Sequence, residues 1–164
     1  MNAPDGPADE ARLPLYGVTF AYGSNLDPDR IRAADFCPNA EELGHVRLEG
    51  WRFEIFAGAA DLEPDPAAFA FAVAWRLTPE DEARLDARQA AGGERPDYVK
   101  KPLAAQLDDG GSIDGYIYVM THARRYKREH APSDQYRSWL ERGYARHRFD
   151  PAALDAALLR AEHR

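Results

Sequence analysis

The chain has 164 residues, 45% hydrophobic and 30% charged, with a formal net charge of −7. That length suits one domain with a buried core, and the balance excludes a disordered chain. The acidic excess repels phosphate backbones, so no nucleic acid is expected as main partner.

Residues 1–13 are rich in Ala, Pro, Asp and Glu and read as a flexible N-terminal tail, leaving 14–164 as one domain. The start MNAPDGPADEAR has neither a basic end nor an apolar run, so it is no secretory signal. No stretch has the apolar length to span a bilayer. The single cysteine, Cys37, cannot staple the fold. A cytoplasmic protein with no membrane partner is expected.

Leu15–Ala21 alternates, with Tyr16, Val18 and Phe20 on one side, and predicts a half-buried strand. Asp27 as N-cap and Pro28 at the first helical position predict a helix start. Val46 to Phe56 reads as one or two strands broken near Glu49-Gly50. Ala68 to Leu77 is a strand with Phe69, Phe71, Val73 and Trp75 on one face and alanines on the other. That small face should pack closely.

Thr78-Pro-Glu-Asp81 predicts a capped helix running through Leu85 to about Ala91 and stopping at Gly92-Gly93. Tyr98 to Leu107 and Ile113 to Met120 predict strands joined around Asp108–Gly111. Pro132-Ser133 opens a helix to about His147, and Asp150-Pro151 opens a last one. Neighbouring strands with helices set between them indicate an α+β fold with a curled or barrel-like sheet, not repeated βαβ units.

Chemistry concentrates first in the stretch FAYGSNLDPDR, residues 20–30. A turn between a strand and a helix exposes successive backbone N–H groups, and Gly23 permits close approach. With the helix N-terminus, such a turn favours a small anion such as a carboxylate. Ser24 and Asn25 can add hydrogen bonds. Gly-Ser-Asn is also common turn chemistry, and the residues alone favour that plainer reading. A phosphate P-loop is absent, and Ser24 is not in a Gly-x-Ser-x-Gly nucleophile elbow.

Weaker signals follow. The five histidines show no metal-ligand spacing, and nothing in the sequence ties Cys37 to His45 as a nucleophile and base. The basic run His122–His130 can steer an acidic substrate, but a solvated loop is the favoured reading. Arg30 can lean toward a bound carboxylate, but a surface or ion-pairing residue is the favoured reading. Tyr136, in a helix's first turn, is as good a packing residue as a pocket one.

The ordered set of motifs resembles the gamma-glutamylcyclotransferase family. The match begins with Tyr22-Gly-Ser-Asn-Leu26 and Arg30, and continues through Leu48-Glu-Gly-Trp-Arg-Phe53 and Ala72-Val-Ala-Trp-Arg-Leu77. Leu85-Asp86 is similar to the start of a Leu-Asp-x-x-Glu motif, and Tyr98 to the tyrosine opening the next strand. Pro132-Ser-Asp-Gln-Tyr136 with Gly143 resembles the C-terminal helix. The resemblance covers about residues 15–158. It implies a small mixed β-barrel with flanking helices.

It also implies a small-molecule γ-glutamyl substrate, whose α-carboxylate the turn of Tyr22, Gly23, Ser24, Asn25 and Leu26 would hold, with Tyr98 as a further substrate contact. The substrate's α-amine attacks its own γ-carbonyl, 5-oxoproline forms and an amine or amino acid leaves. No metal or organic cofactor is implied. Dimers occur in the family, so a homodimer is among the expected partners.

The family places proton transfer on the glutamate of Leu-Asp-x-x-Glu. Here that position is Gln89. A carboxamide has nearly the shape of a carboxylate but cannot take up a proton at neutral pH. Three readings are open: a substitution introduced to trap substrate, a natural loss that leaves a binding or regulatory protein, or another carboxylate doing the work. Glu94, Asp97 and Asp86 are the candidates for the last.

Overall fold

The computed structural model describes residues 17–91, 94, 96–126 and 130–164. The expected tail and the Gly92-Gly93 helix stop lie outside the described residues. Val18–Ala21 (β1) is followed by a 3₁₀ turn at Ser24–Leu26 and a short helix, Pro28–Ile31 (α1). Two long strands come next, Glu41–Phe56 (β2) and Ala59–Arg76 (β3), then helix Pro79–Arg88 (α2). A hairpin of Tyr98–Leu107 (β4) and Ser112–Met120 (β5) precedes helices His122–Arg125 (α3), Asp134–His147 (α4) and Ala152–Glu162 (α5).

The strands close into a barrel in the order β1-β3-β2-β4-β5. β1 runs antiparallel to β3 and parallel to β5, where Thr19 pairs with Tyr116. All other pairings are antiparallel. The barrel is therefore mixed, as the resemblance implies. β1 departs from the half-buried expectation. Val18, Thr19 and Phe20 are all buried, because both edges of β1 are paired and both faces covered.

β2 and β3 are longer than the sequence suggests. They form one hairpin from Glu41↔Arg76 to Phe56↔Ala59, turned at Ala57 and Gly58, both with positive φ. That is the handedness that matches strand twist. Pro64 and Pro66 argue against a strand there, but the ladder jumps from Glu49↔Phe69 to Trp51↔Pro64. The residues between, Pro66 among them, lie opposite Gly50 outside the regular pairing, where proline's missing N–H costs nothing. Gly50 takes φ +85 at this kink.

The alanine face of β3 does pack closely. Ala70, Ala72 and Ala74 are buried, with Val73 and Trp75. In α2, the Thr78 side chain accepts from the Asp81 N–H, and the helix ends at Arg88 with Gln89 as its C-cap. It stops short of Ala91 because Ala90 is left-handed, φ 47.

The C-terminal helix docks through one buried carboxylate. Glu54 of β2, 2% exposed, meets Arg52 Nε at 2.8 Å, Arg160 Nε at 3.0 Å and Arg164 Nη2 at 3.2 Å. Burial pushes its carboxyl up, but Arg160, Arg52 and Arg164 outweigh that and hold it below the usual range. The unfolded chain, titrating near pH ~4.3, then binds more protons than the folded one as acid is added. This stabilisation is complete above the unfolded value and is lost as pH falls through the folded one. Thermal unfolding of the native chain should therefore steepen its pH dependence below pH ~4.3, and Glu54→Gln should flatten that acid slope.

Candidate active site

The turn after β1 is held in place by its carbonyls. Gly23 O accepts from Leu26 N–H at 3.0 Å, Asn25 O from Trp75 Nε1 at 3.1 Å, and Leu26 O from His147 Nε2 at 2.6 Å. The first N–H groups of a helical turn have no partner within it. The N–H groups of Ser24 and Asn25, at the start of this turn, are of that kind. Two side-chain atoms nearby, Asn25 Oδ1 and Arg30 Nε, are buried without a hydrogen-bond partner among the described residues.

Tyrosines brace the turn from below. Tyr22 donates to Tyr118 O at 2.5 Å and meets the Phe53 ring edge-on. Ala60 is clamped at both backbone groups: its N–H donates to the Tyr136 hydroxyl at 2.9 Å, and its carbonyl accepts from the Tyr98 hydroxyl at 3.1 Å. Burial pushes the phenols of Tyr22, Tyr98 and Tyr136 up, so each is a neutral hydroxyl at working pH.

Gly23 is required by close approach. A Cβ built on it would stand 2.8 Å from Ala60 Cβ, and Ala60 cannot yield without releasing Tyr98 or Tyr136. Gly23→Ala should cost about 1–3 kcal/mol, measured by urea unfolding. Gly143 of α4 plays the same part opposite the turn, since its Cβ would meet Leu26 Cβ at 2.7 Å.

These elements enclose a cavity of about 250 Å³. That is near the small end of ligand pockets, which run roughly 300–1,000 Å³, so it suits an amino-acid-sized group rather than a nucleotide. Tyr22, Gly23, Ser24, Asn25, Tyr98 and Gln89 all line it. Leu26 does not. It is fully buried, because its side chain packs on Gly143 and anchors the turn to α4. Gln89 is delivered by the C-terminus of α2, half-buried.

Of the three alternative carboxylates, only Asp97 lines the cavity. Asp86 is not among the lining residues; it accepts from the lining Tyr118 hydroxyl at 2.5 Å and pairs with Lys100 at 2.9 Å. Glu94 is exposed. Arg124 Nε lies 3.9 Å from Asp97 Oδ2.

Three arginines also line the cavity: Arg30, Arg88 and Arg124. Arg30 is not the surface residue expected. Its guanidinium lies 3.6 Å over the Trp139 ring, and burial, then Arg88, lowers its pKa. Arg124 comes from the basic run read as a solvated loop, of which Arg125 is also engaged, with Asp61 and Glu63; residues 127–129 lie outside the described residues. The one signal for Arg124 was a basic run on an acidic chain. Tyr136 lines the cavity as well as packing.

Cys37 and His45 are not brought together. Cys37 is buried with its thiol 3.4 Å from Asp81 O, and burial, then Asp81, pushes it up to about 12. His45 belongs to a pair with His147, whose nitrogens lie 3.0 Å apart. No helix among the described residues is long and apolar enough to cross a membrane.

The cavity thus presents backbone donors, three cations and neutral hydroxyls around a carboxamide. It can hold a small carboxylate and polarise a carbonyl. Among solved structures the fold matches a gamma-glutamyl cyclotransferase with TM-score 0.70 and 22% identity, covering 86% of this chain and 85% of that one. It matches an uncharacterised human protein with TM-score 0.66 and 22% identity, covering 80% and 79%. It matches YkqA from Bacillus subtilis with TM-score 0.69 and 19% identity, covering 96% of this chain but 58% of that one. No curated protein matches the sequence. The model of the family described as "Gamma-glutamyl cyclotransferase, AIG2-like" matches residues 19–141, well over half of the chain. By that match and the shared barrel, the chain belongs to the gamma-glutamyl cyclotransferase, AIG2-like family.

Proposed function

We propose that the cavity binds a γ-glutamyl amide and that its chemistry is cyclisation of the glutamyl group to 5-oxoproline. The observation that carries this reading is that Gly23, Ser24, Asn25 and Arg30 line one small cavity, two of them with buried side-chain atoms lacking a partner among the described residues, Asn25 Oδ1 and Arg30 Nε. In the proposed pose the α-carboxylate sits on the turn, as an anion does at exposed N–H groups. The α-amine and γ-carbonyl then reach the Gln89 end of the cavity.

Ring closure begins with a large proximity advantage, because nucleophile and electrophile share one molecule. The new N–C bond forms as the bond to the departing nitrogen breaks. The α-ammonium must lose two of its three protons, since the lactam nitrogen keeps one; the departing nitrogen must gain one to leave as an amine, and the second protonates that amine. A carboxylate at position 89 would carry the proton to the departing nitrogen; Gln89 holds hydrogen bonds but no proton. In this reading the chain binds its substrate well and turns it over slowly.

The test of binding is calorimetric titration with γ-glutamyl amino acids, alongside glutamine and 5-oxoproline. Saturable binding that is lost in Arg30→Ala supports the pose. Binding that ignores the α-carboxylate, shown by equal affinity for an α-amidated ligand, sinks it. A second reading has its own support, since Asp97 lines the cavity: this carboxylate takes over the proton. Under it, Asp97→Asn removes the residual turnover of the native chain. Under the first reading, Asp97→Asn leaves residual turnover nearly unchanged.

A further inference from the structure

A second cluster of chemically able side chains lies away from the cavity, where β2 meets the end of α4. The nitrogens His45 Nε2 and His147 Nδ1 are 3.0 Å apart. One ligand atom from each of Glu42, His45 and His147 lies within 4.8 Å of the others. We propose that Glu42, His45 and His147 form a binding site for one divalent transition-metal ion, Zn²⁺ by its donor set.

The tautomers support it. Leu26 O can only accept, so the proton of His147 is on Nε2, and Nδ1 presents its lone pair to His45. His45 Nδ1 faces Asp108 Oδ2 at 3.7 Å, and Asp108 is held there by its N–H donating to His45 O at 3.1 Å. Each imidazole therefore has an oxygen acceptor beside its outer nitrogen, the arrangement that orients metal-bound histidines. When the ion enters, the His45 proton moves from Nε2 to Nδ1, toward Asp108. Both lone pairs then converge, and neither ring loses a proton.

Geometry and access agree. Zn–N bonds of about 2.0 Å in a tetrahedral site place two nitrogens roughly 3.3 Å apart, near the spacing present. Glu42 is exposed, so its side chain is free to close the remaining gap. The rings are already oriented against Phe149, His147 stacked at 5.5 Å and His45 edge-on at 5.0 Å. A surface groove of about 270 Å³ lined by Glu42, His45, Asp108 and Asp109 leads in, and its carboxylates attract a cation. The donor set of two imidazoles and a carboxylate suits Zn²⁺ and leaves a fourth position open. Sequence spacing hid the site, because residues 45 and 147 meet only in the folded chain.

The experiment uses the full chain without a purification tag, treated with chelator and titrated calorimetrically with ZnCl₂. Expected are one ion per chain and a raised thermal midpoint. His45→Ala should weaken binding at least about a hundredfold, and the exposed Glu42→Gln, which does not threaten folding, about tenfold or more. Asp108→Asn should weaken it about 10–100-fold, while His163→Ala, on the exposed end of α5, leaves it unchanged. No saturable one-to-one binding by the native chain would overturn the proposal. So would a Glu42→Gln and His45→Ala pair that both bind like the native chain, or loss confined to His163→Ala.

Discussion

Replacing Gln89 by glutamate is expected to raise release of 5-oxoproline from γ-glutamyl amides by about 10²–10⁴-fold, the usual contribution of general acid–base catalysis. The substitution is nearly isosteric, so affinity should change far less than turnover. Position 89 also has the right electrostatics for a base. It caps the C-terminus of α2, where unpaired carbonyls disfavour a carboxylate's charge and raise its proton affinity. Arg88 and Arg124, in the same cavity, act the other way. The variant's rate should accordingly climb with pH as the new carboxyl ionises, a profile the native chain lacks. Equal rates for both chains at every pH would remove Gln89 from the base position.

Asp61→Ala should destabilise the fold by about 3–5 kcal/mol, the cost of removing one partner of a buried ion pair. Asp61 is fully buried. It accepts from Met120 N–H at 2.9 Å and from Arg125 Nε at 3.1 Å, with Arg125 Nη2 closer still. Truncation removes the buried carboxylate from a largely covered guanidinium, leaving it Glu63 and the Leu62 carbonyl, and leaves a buried N–H with no acceptor. Asp61→Asn keeps an acceptor for Met120 and should cost less. Denaturant unfolding of the three chains reads the difference. Asp61 adjoins Ala60, which Tyr98 and Tyr136 hold, so the alanine variant should also loosen ligand binding. An Asp61→Ala chain as stable as the native one would show that this buried network does not tie β3 to β5 and α3.

Much of this protein is legible in one dimension because the controlling physics is local. Caps at Asp27, Thr78 and Ser133 were readable, since each side chain bonds an N–H two or three residues on. So was the β4–β5 hairpin, with its Asp-Gly turn. The α+β barrel and the family follow from the order of short motifs, and position 89 is read directly as glutamine. The strand read as starting at Ala68 begins at Ala59, because Pro64 takes a ladder position opposite Trp51 and Pro66 falls where the ladder skips.

What required the folded chain involves partners distant along it. Arg124 and Arg30 reach the cavity only because α3 and α1 close over the same barrel end. Leu26 proves an anchor rather than a lining residue because Gly143, far along the chain, lets α4 pack on it. Asp97 is separated from Asp86 and Glu94 as a cavity carboxylate because Asp86 is engaged by Tyr118 and Lys100 and Glu94 is exposed. The sequence by itself therefore determined the local signals, the barrel class and the identity of the groups around the turn. The tertiary structure alone decided which charges face one another, because electrostatic contact depends on distance in space and not on separation along the chain.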